Sequence, residues 1–201
     1  CEGCALGDMV ALGIRLTDAG LGDYWDDVDA FVRNHLVEQQ LIRADLLEKV
    51  ANASQERRPE DRSPYANREV CENVIARSLG NFAGNSLPAG VTRPFVMQCC
   101  TGNATQGLYY AWEGIVRQTG DSAQVNLLLN LASQSLDIDS YLPYEGKVVI
   151  HNKSVCKISV RIPSWVIRGK IRSKALPLVD GKAYPVDNVS GQARPRVWVG
   201  N

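Results

Sequence analysis

The chain has 201 residues, 45% of them hydrophobic and 22% charged, and its 22 basic and 22 acidic side chains cancel. That composition can fill one large core or two small ones, and the absence of net charge leaves no electrostatic case for nucleic acid or an anionic membrane. No apolar run approaches the ~20 residues that a membrane-spanning helix needs.

From Cys4 to Thr17 the apolar residues Ala5, Met9, Leu12 and Leu16 recur at helical spacing, and Gly20 closes the segment. A second helix is expected over residues 23–41. Its buried stripe is Trp25, Val28, Phe31, Val32 and Leu36, with Asp26, Asp27, Arg33 and Glu38 towards water. His35 flanks that stripe as a hydrogen-bonded helix residue rather than a ligand. A short helix fits residues 44–51. The charge-dense QERRPEDRSP stretch over 55–64 reads as a solvated loop, and 68–79 as helix again. Residues 81–94, rich in glycine and small turn residues, read as an irregular connection that delivers Phe95-Val96-Met97-Gln98 and then Cys99-Cys100. Thr101-Gly102-Asn103 looks like a helix start with Asn103 as N-cap. Leu108, Ala111, Trp112, Ile115 and Val116 form the apolar face of that helix, and Gly120 its end. Thiols placed just ahead of a helix N-terminus are biased towards thiolate.

The period changes at Asp121. Residues 125–131, 136–138, 147–150, 156–162 and 197–199 alternate or run apolar with β-branched residues, and His151-Asn152-Lys153-Ser154 reads as a hairpin turn. The expected fold class is therefore α+β, with a helical portion over 1–120 and an antiparallel β-sandwich portion over 121–201. The sequence opens at Cys1 without a signal peptide and stops inside a strand pattern, so it is expected to be truncated at both ends. Cys71 and Cys156 are expected as buried free thiols. Sequons occur at Asn52, Asn103, Asn152 and Asn188, but the one at Asn103 would crowd the cysteine pair, and glycosylation is not expected.

Two adjacent cysteines bridge each other only through a strained ring, yet both can face one soft metal ion. Glu2-Gly3-Cys4 supplies two further donors, and Glu2, Cys4, Cys99 and Cys100 together make a tetrahedral S₃O zinc set. Spacing alone leaves a closed structural site and a catalytic one open. Cys1 in place of Cys4 would give an S₄ zinc or iron–sulfur site, and redox cycling of Cys99-Cys100 is the least favoured alternative.

Taken in order, Glu2-Gly3-Cys4, Tyr24-x-Asp26-x-x-Asp29, Cys99-Cys100-Thr101-Gly102-Asn103 and Arg161-Ile162-Pro163-Ser164-Trp165 resemble the motifs of glycoside hydrolase family 127, the β-L-arabinofuranosidases and their relatives. The family's patterns are Glu-x-Cys, Tyr-x-Asp-x-x-Glu and Cys-Cys-Pro-Pro-Asn. Here Asp29 stands for the glutamate and Thr101-Gly102 for the two prolines. The resemblance implies the last helices of an (α/α)₆ barrel followed by the start of a β-sandwich. It also implies zinc on Glu2, Cys4, Cys99 and Cys100, and Cys99 as the nucleophile of a retaining glycosidase. Asp29 becomes a candidate substrate contact, and the general acid/base is a glutamate upstream of Glu2.

The expected partner is a carbohydrate of arabinofuranoside type, with no nucleic acid, no membrane and a homodimer left open. Reduced zinc thiolates favour the cytoplasm, with export through a lost leader as the alternative. The competing function is a carbohydrate-binding or structural zinc module without turnover. Its sugar platform would be Trp165 or Tyr141 and Tyr144. Tyr109, Tyr110 and Trp112, on an apolar helical face, are expected in the core.

Overall fold

Helix α1 (Gly3–Asp18) ends where glycine was expected to end it. Gly20 takes a left-handed φ of 72°, its N–H reaches the Thr17 carbonyl at 2.9 Å, and the Leu21 N–H reaches that of Leu16 at 3.0 Å. This pair of bonds satisfies carbonyls that the last turn leaves without partners. The chain is a computed structural model that describes residues 1–53, 72–87, 90–167, 170–172 and 184–185. The 55–64 loop, Cys71, Asn188 and the 197–199 strand lie outside those residues.

Helix α2 (Trp25–Phe31) does not run on to residue 41. It widens into a π-helical turn over Val32–Leu36 and tightens into a 3₁₀ turn over Val37–Gln39. The wider turn brings Val32, Leu36 and Gln39 all inward, where each is buried. Helices α3 (Ala44–Ala53) and α4 (Val74–Ser78) follow. The connection expected over 81–94 is instead a hairpin, β1 (Ala83–Leu87) against β2 (Gly90–Val96), closed by the Leu87–Gly90 pair. Helix α5 (Gln98–Gly114) starts before the cysteine pair, not after it, so Asn103 lies inside the helix rather than at its cap.

The remaining strands are β3 (Val116–Thr119), β4 (Ser122–Val125), β5 (Leu131–Ala132), β6 (Leu136–Ser140), β7 (Val148–Asn152), β8 (Lys157–Val160) and β9 (Tyr184–Pro185). They form one sheet in the order β3-β4-β8-β9 and another in the order β5-β6-β7. Gly120, at φ 59°, turns the β3–β4 hairpin instead of ending α5. Two further expectations fail in this half. β8 pairs β4 in parallel, and β7 and β8 are not a hairpin but belong to different sheets. The cause is local. The Asn152 side chain bonds both ways with the Val155 backbone (2.8 and 3.1 Å), while the N–H groups of Lys153 and Ser154 both reach the Ser135 carbonyl. These bonds turn the chain out of the β6–β7 ladder. Cys156, just ahead of β8, is exposed rather than buried.

The chain divides into two compact units, Cys1–Val10 with Ala30–Leu108 and Ala11–Asp29 with Tyr109–Asn201. The first has Leu6, Val10, Val32, Leu36 and Phe82 at its centre, the second Trp25, Val28, Ile115, Leu128, Leu136 and Ile150. On α1 the buried stripe is Gly3, Leu6, Gly7, Val10, Gly13 and Ile14, one face round from the expected one, and Met9 and Leu12 are exposed. On α5 it is Cys100, Ala104, Gly107, Ala111 and Gly114, while Tyr109 and Trp112 face outward. Small residues at i, i+4, i+7 and i+11 let helix backbones approach closely. A β-carbon on Gly107 would sit 2.7 Å from the Gly7 Cα.

Candidate metal centre

The donors of the cluster come from the opening turns of α1 and α5 in the first unit, and β1 holds both starts. Ahead of α1, the Cys1-Glu2 arm lies along β1. The Ser86 N–H donates to the Cys1 carbonyl at 3.0 Å, the Cys1 N–H returns a bond to Ser86, and Glu2 bridges to Asn85. At the start of α5, the Thr101 hydroxyl donates to the Phe82 carbonyl at 3.3 Å, and Cys100 Sγ lies 3.5 Å from the Gly84 carbonyl oxygen.

This framework brings one donor atom each from Glu2, Cys4, Cys99 and Cys100 within 4.8 Å of one another. Cys100 Sγ stands 3.7 Å from Cys4 Sγ, 3.9 Å from Cys99 Sγ and 3.8 Å from Glu2 Oε1. A tetrahedron with zinc–sulfur bonds of ~2.3 Å has edges of about 3.8 Å. The three edges that meet at Cys100 match that spacing, and three thiols with one carboxylate suit such an ion in chemistry. Cys1 is exposed and is not one of the four. Within the cluster Cys100 is fully buried, Cys4 half-buried and Cys99 exposed.

Without a cation, burial together with the two neighbouring thiols pushes the Cys4 thiol up to about 11, although the Asn103 side chain bonds to it and pulls the other way. Ionisation of this thiol near neutral pH requires a compensating positive charge.

The Asp29 carboxylate belongs to the second unit. It is 3% exposed and accepts the Trp165 indole N–H at 3.0 Å. It belongs to a ladder in which Asp26 accepts the Ser164 N–H at 3.1 Å and pairs with Arg161 at 3.0 Å, and Asp23 pairs with Arg161 at 3.3 Å. Burial alone would raise Asp26, but the Arg161 guanidinium and Ser164 outweigh it and hold the carboxyl below the usual carboxylate range. The two sequence motifs around Tyr24 and Arg161 thus grip each other. His35 hydrogen-bonds the Ser86 carbonyl at 3.2 Å and is not among the donors.

Tyr109 and Trp112 are about half exposed, with ring centroids 5.9 Å apart, and Tyr144 is almost fully exposed. Gln39 and Ser86 escaped the sequence reading. The only sign of Gln39 was a polar residue in register with an apolar stripe, three residues after Leu36.

No family model and no curated protein matches the chain. Among solved structures, a GH127 beta-L-arabinofuranosidase from Geobacillus stearothermophilus T6 is similar at a TM-score of 0.43 and 16% identity. The match covers all of this chain and 29% of that one, so the chain spans less than a third of that protein's length.

Proposed function

We propose that Glu2, Cys4, Cys99 and Cys100 hold a zinc ion, and that the chain belongs to a retaining glycoside hydrolase acting on β-L-arabinofuranoside-like sugars with Cys99 as nucleophile. The observation that carries this reading is the convergence of four donors within 4.8 Å of one another with only one of the two adjacent thiols, Cys99, open to solvent. The motif resemblance supplies the substrate class.

Bound zinc would keep the thiolates ionised near neutral pH. Cys99 Sγ attacks the anomeric carbon, forming a C–S bond as the glycosidic C–O bond breaks, and the leaving oxygen takes a proton from a general acid. By the resemblance, that acid is a glutamate upstream of Glu2. Water, giving its proton to the same group, then displaces Cys99 with overall retention. Glu2, Cys4 and Cys100 fix the position from which Cys99 attacks. A second reading, a purely structural metal site, is favoured by the donor count, since four protein donors fill a tetrahedral shell.

Elemental analysis of protein purified without chelators tests the metal, with about one zinc per chain expected and its loss in Cys100→Ala and Glu2→Ala. No zinc in a folded chain overturns the site. Cys99→Ser in the full-length protein separates the two readings. Loss of arabinofuranoside hydrolysis with an unchanged circular dichroism spectrum supports the nucleophile. Full activity of the serine variant leaves the structural site.

A further inference from the structure

Gln39 is fully buried, and its carboxamide is split in its bonding. Nε2 donates to the Cys1 carbonyl at 3.3 Å, while Oε1 has no hydrogen-bond partner among the described residues. That oxygen faces Gly3, the residue between the two donors of the Glu-x-Cys arm. A β-carbon on Gly3 would stand 3.1 Å from Gln39 Oε1 and 3.1 Å from the Cys100 Cβ, tighter than ordinary contact on both sides.

The arm is thus caught between two surfaces. Its outer edge is pinned to β1 by Ser86, whose N–H donates to Cys1 and whose carbonyl oxygen accepts from both Cys1 and His35. Its inner side rests on the Gln39 amide. A buried amide with an unmade bond is unfavourable, and an apolar side chain of the same volume would fill the space without that penalty. The polar group therefore does something that packing does not, and the bond it makes is to the arm. Gln39 also sits where the π-helical turn has tightened to 3₁₀, a change of pitch that brings it inward together with Leu36.

We infer that Gln39 is a positioning residue for the metal centre. Its buried carboxamide fixes the Cys1–Cys4 arm, through Cys1 and across the gap that only glycine at position 3 leaves, so that Glu2 and Cys4 meet Cys99 and Cys100 at metal-binding distance. The inference rests on the zinc reading above and adds the group that presets its geometry. Partners outside the ligand shell that orient ligands change metal affinity by about 10–100-fold when removed.

The test is titration of the metal-free chain with cobalt(II), followed by its thiolate charge-transfer absorption, and with zinc in competition with a chelator. The variants are Gln39→Met, which keeps the volume and removes both polar atoms, and Gly3→Ala, which closes the gap from the other side. Wild type is expected to bind one ion, and each variant to bind cobalt at least tenfold more weakly with an altered charge-transfer spectrum. A merely structural role would lower the melting temperature of the metal-free protein and leave affinity and spectrum of the folded fraction unchanged, and that result overturns the inference. Should Gln39→Met fail to fold, Gln39→Leu, which also removes both polar atoms, decides by the same criterion. A folded wild type that binds no ion refutes the zinc reading itself. Wild-type binding with unaffected variants refutes only the role of Gln39.

Discussion

Replacing Gly7 by alanine should loosen the cluster from a distance. A β-carbon there falls on the Asn103 carbonyl oxygen and lies 3.0 Å from its carbon. Ordinary carbon–carbon contact is about 3.5–4.0 Å, so α5 must retreat by about 0.5–1 Å at Asn103. Backbone shifts forced by overpacking cost about 1–3 kcal/mol, and alanine returns about 0.5–1 kcal/mol of helix propensity. At mid-range the net loss is about 1 kcal/mol, which for a chain of this size lowers the melting temperature by roughly 2–4 °C. Cys4 lies three residues before Gly7, and Cys100 three before Asn103. The same retreat therefore stretches the 3.7 Å Cys4–Cys100 edge beyond tetrahedral spacing. Thermal unfolding read by circular dichroism, with zinc content measured in parallel, tests both effects. A Gly7→Ala protein with wild-type melting and wild-type zinc would refute the close approach of the two helices.

Other perturbations address the acidic ladder and the thiols. Arg161→Met leaves Asp26 without its cation and should cost about 1.5–3 kcal/mol, the range for hydrogen bonds to charged groups, in a urea titration at neutral pH. Because the folded-state value of Asp26 is depressed, the stability this pair adds is present above the ordinary carboxylate range. It fades as pH falls through the depressed value. The variant should therefore show a flatter loss of stability on the acid side, and an unchanged acid limb would count against the pairing. Trp165→Phe removes the donor to the buried Asp29 carboxylate and should cost about 1.5–3 kcal/mol, measured by the same titration. Equal stability would mean the indole bond adds nothing. In metal-free protein, one equivalent of hydrogen peroxide should join Cys4 to Cys100, whose sulfurs are 3.7 Å apart, rather than form the strained Cys99–Cys100 ring. Peptide mass mapping identifies the bridge.

The parts of the fold that follow from local chemistry were legible in the sequence. The Gly20 stop of α1 and the short helix at Ala44 are set by residues within a turn of each other, and so is the shift from helices to strands. The Glu2, Cys4, Cys99 and Cys100 cluster stood out because three thiols and a carboxylate at those spacings suit one metal ion, and the four do converge in the fold. Helix faces were not legible, because α1 and α5 pack through glycine, alanine and cysteine. Hydropathy therefore drew attention to Met9, Leu12 and Trp112, which are exposed. The β1–β2 hairpin had a signal in Leu87-Pro88-Ala89-Gly90, outweighed by the density of small residues around it. The parallel β4–β8 pairing joins residues 35 positions apart in its register, and no local period announces such a partner. Gln39 stayed hidden for a related reason. Its importance comes from Cys1 and Gly3, to which it is joined only in the folded chain.

The small-residue stripe of α5 makes size, not polarity, the quantity that natural variation can least change there. A survey of all substitutions along the helix would find serine admitted at Ala104 and Ala111 where leucine is rejected, and almost any side chain admitted at Tyr109 and Trp112. Intolerance would recur every three to four positions from Cys100 to Gly114 and look like a hydrophobic repeat while being a steric one. Distant relatives of this chain would then share a rhythm of side-chain volume long after their apolar letters had drifted apart.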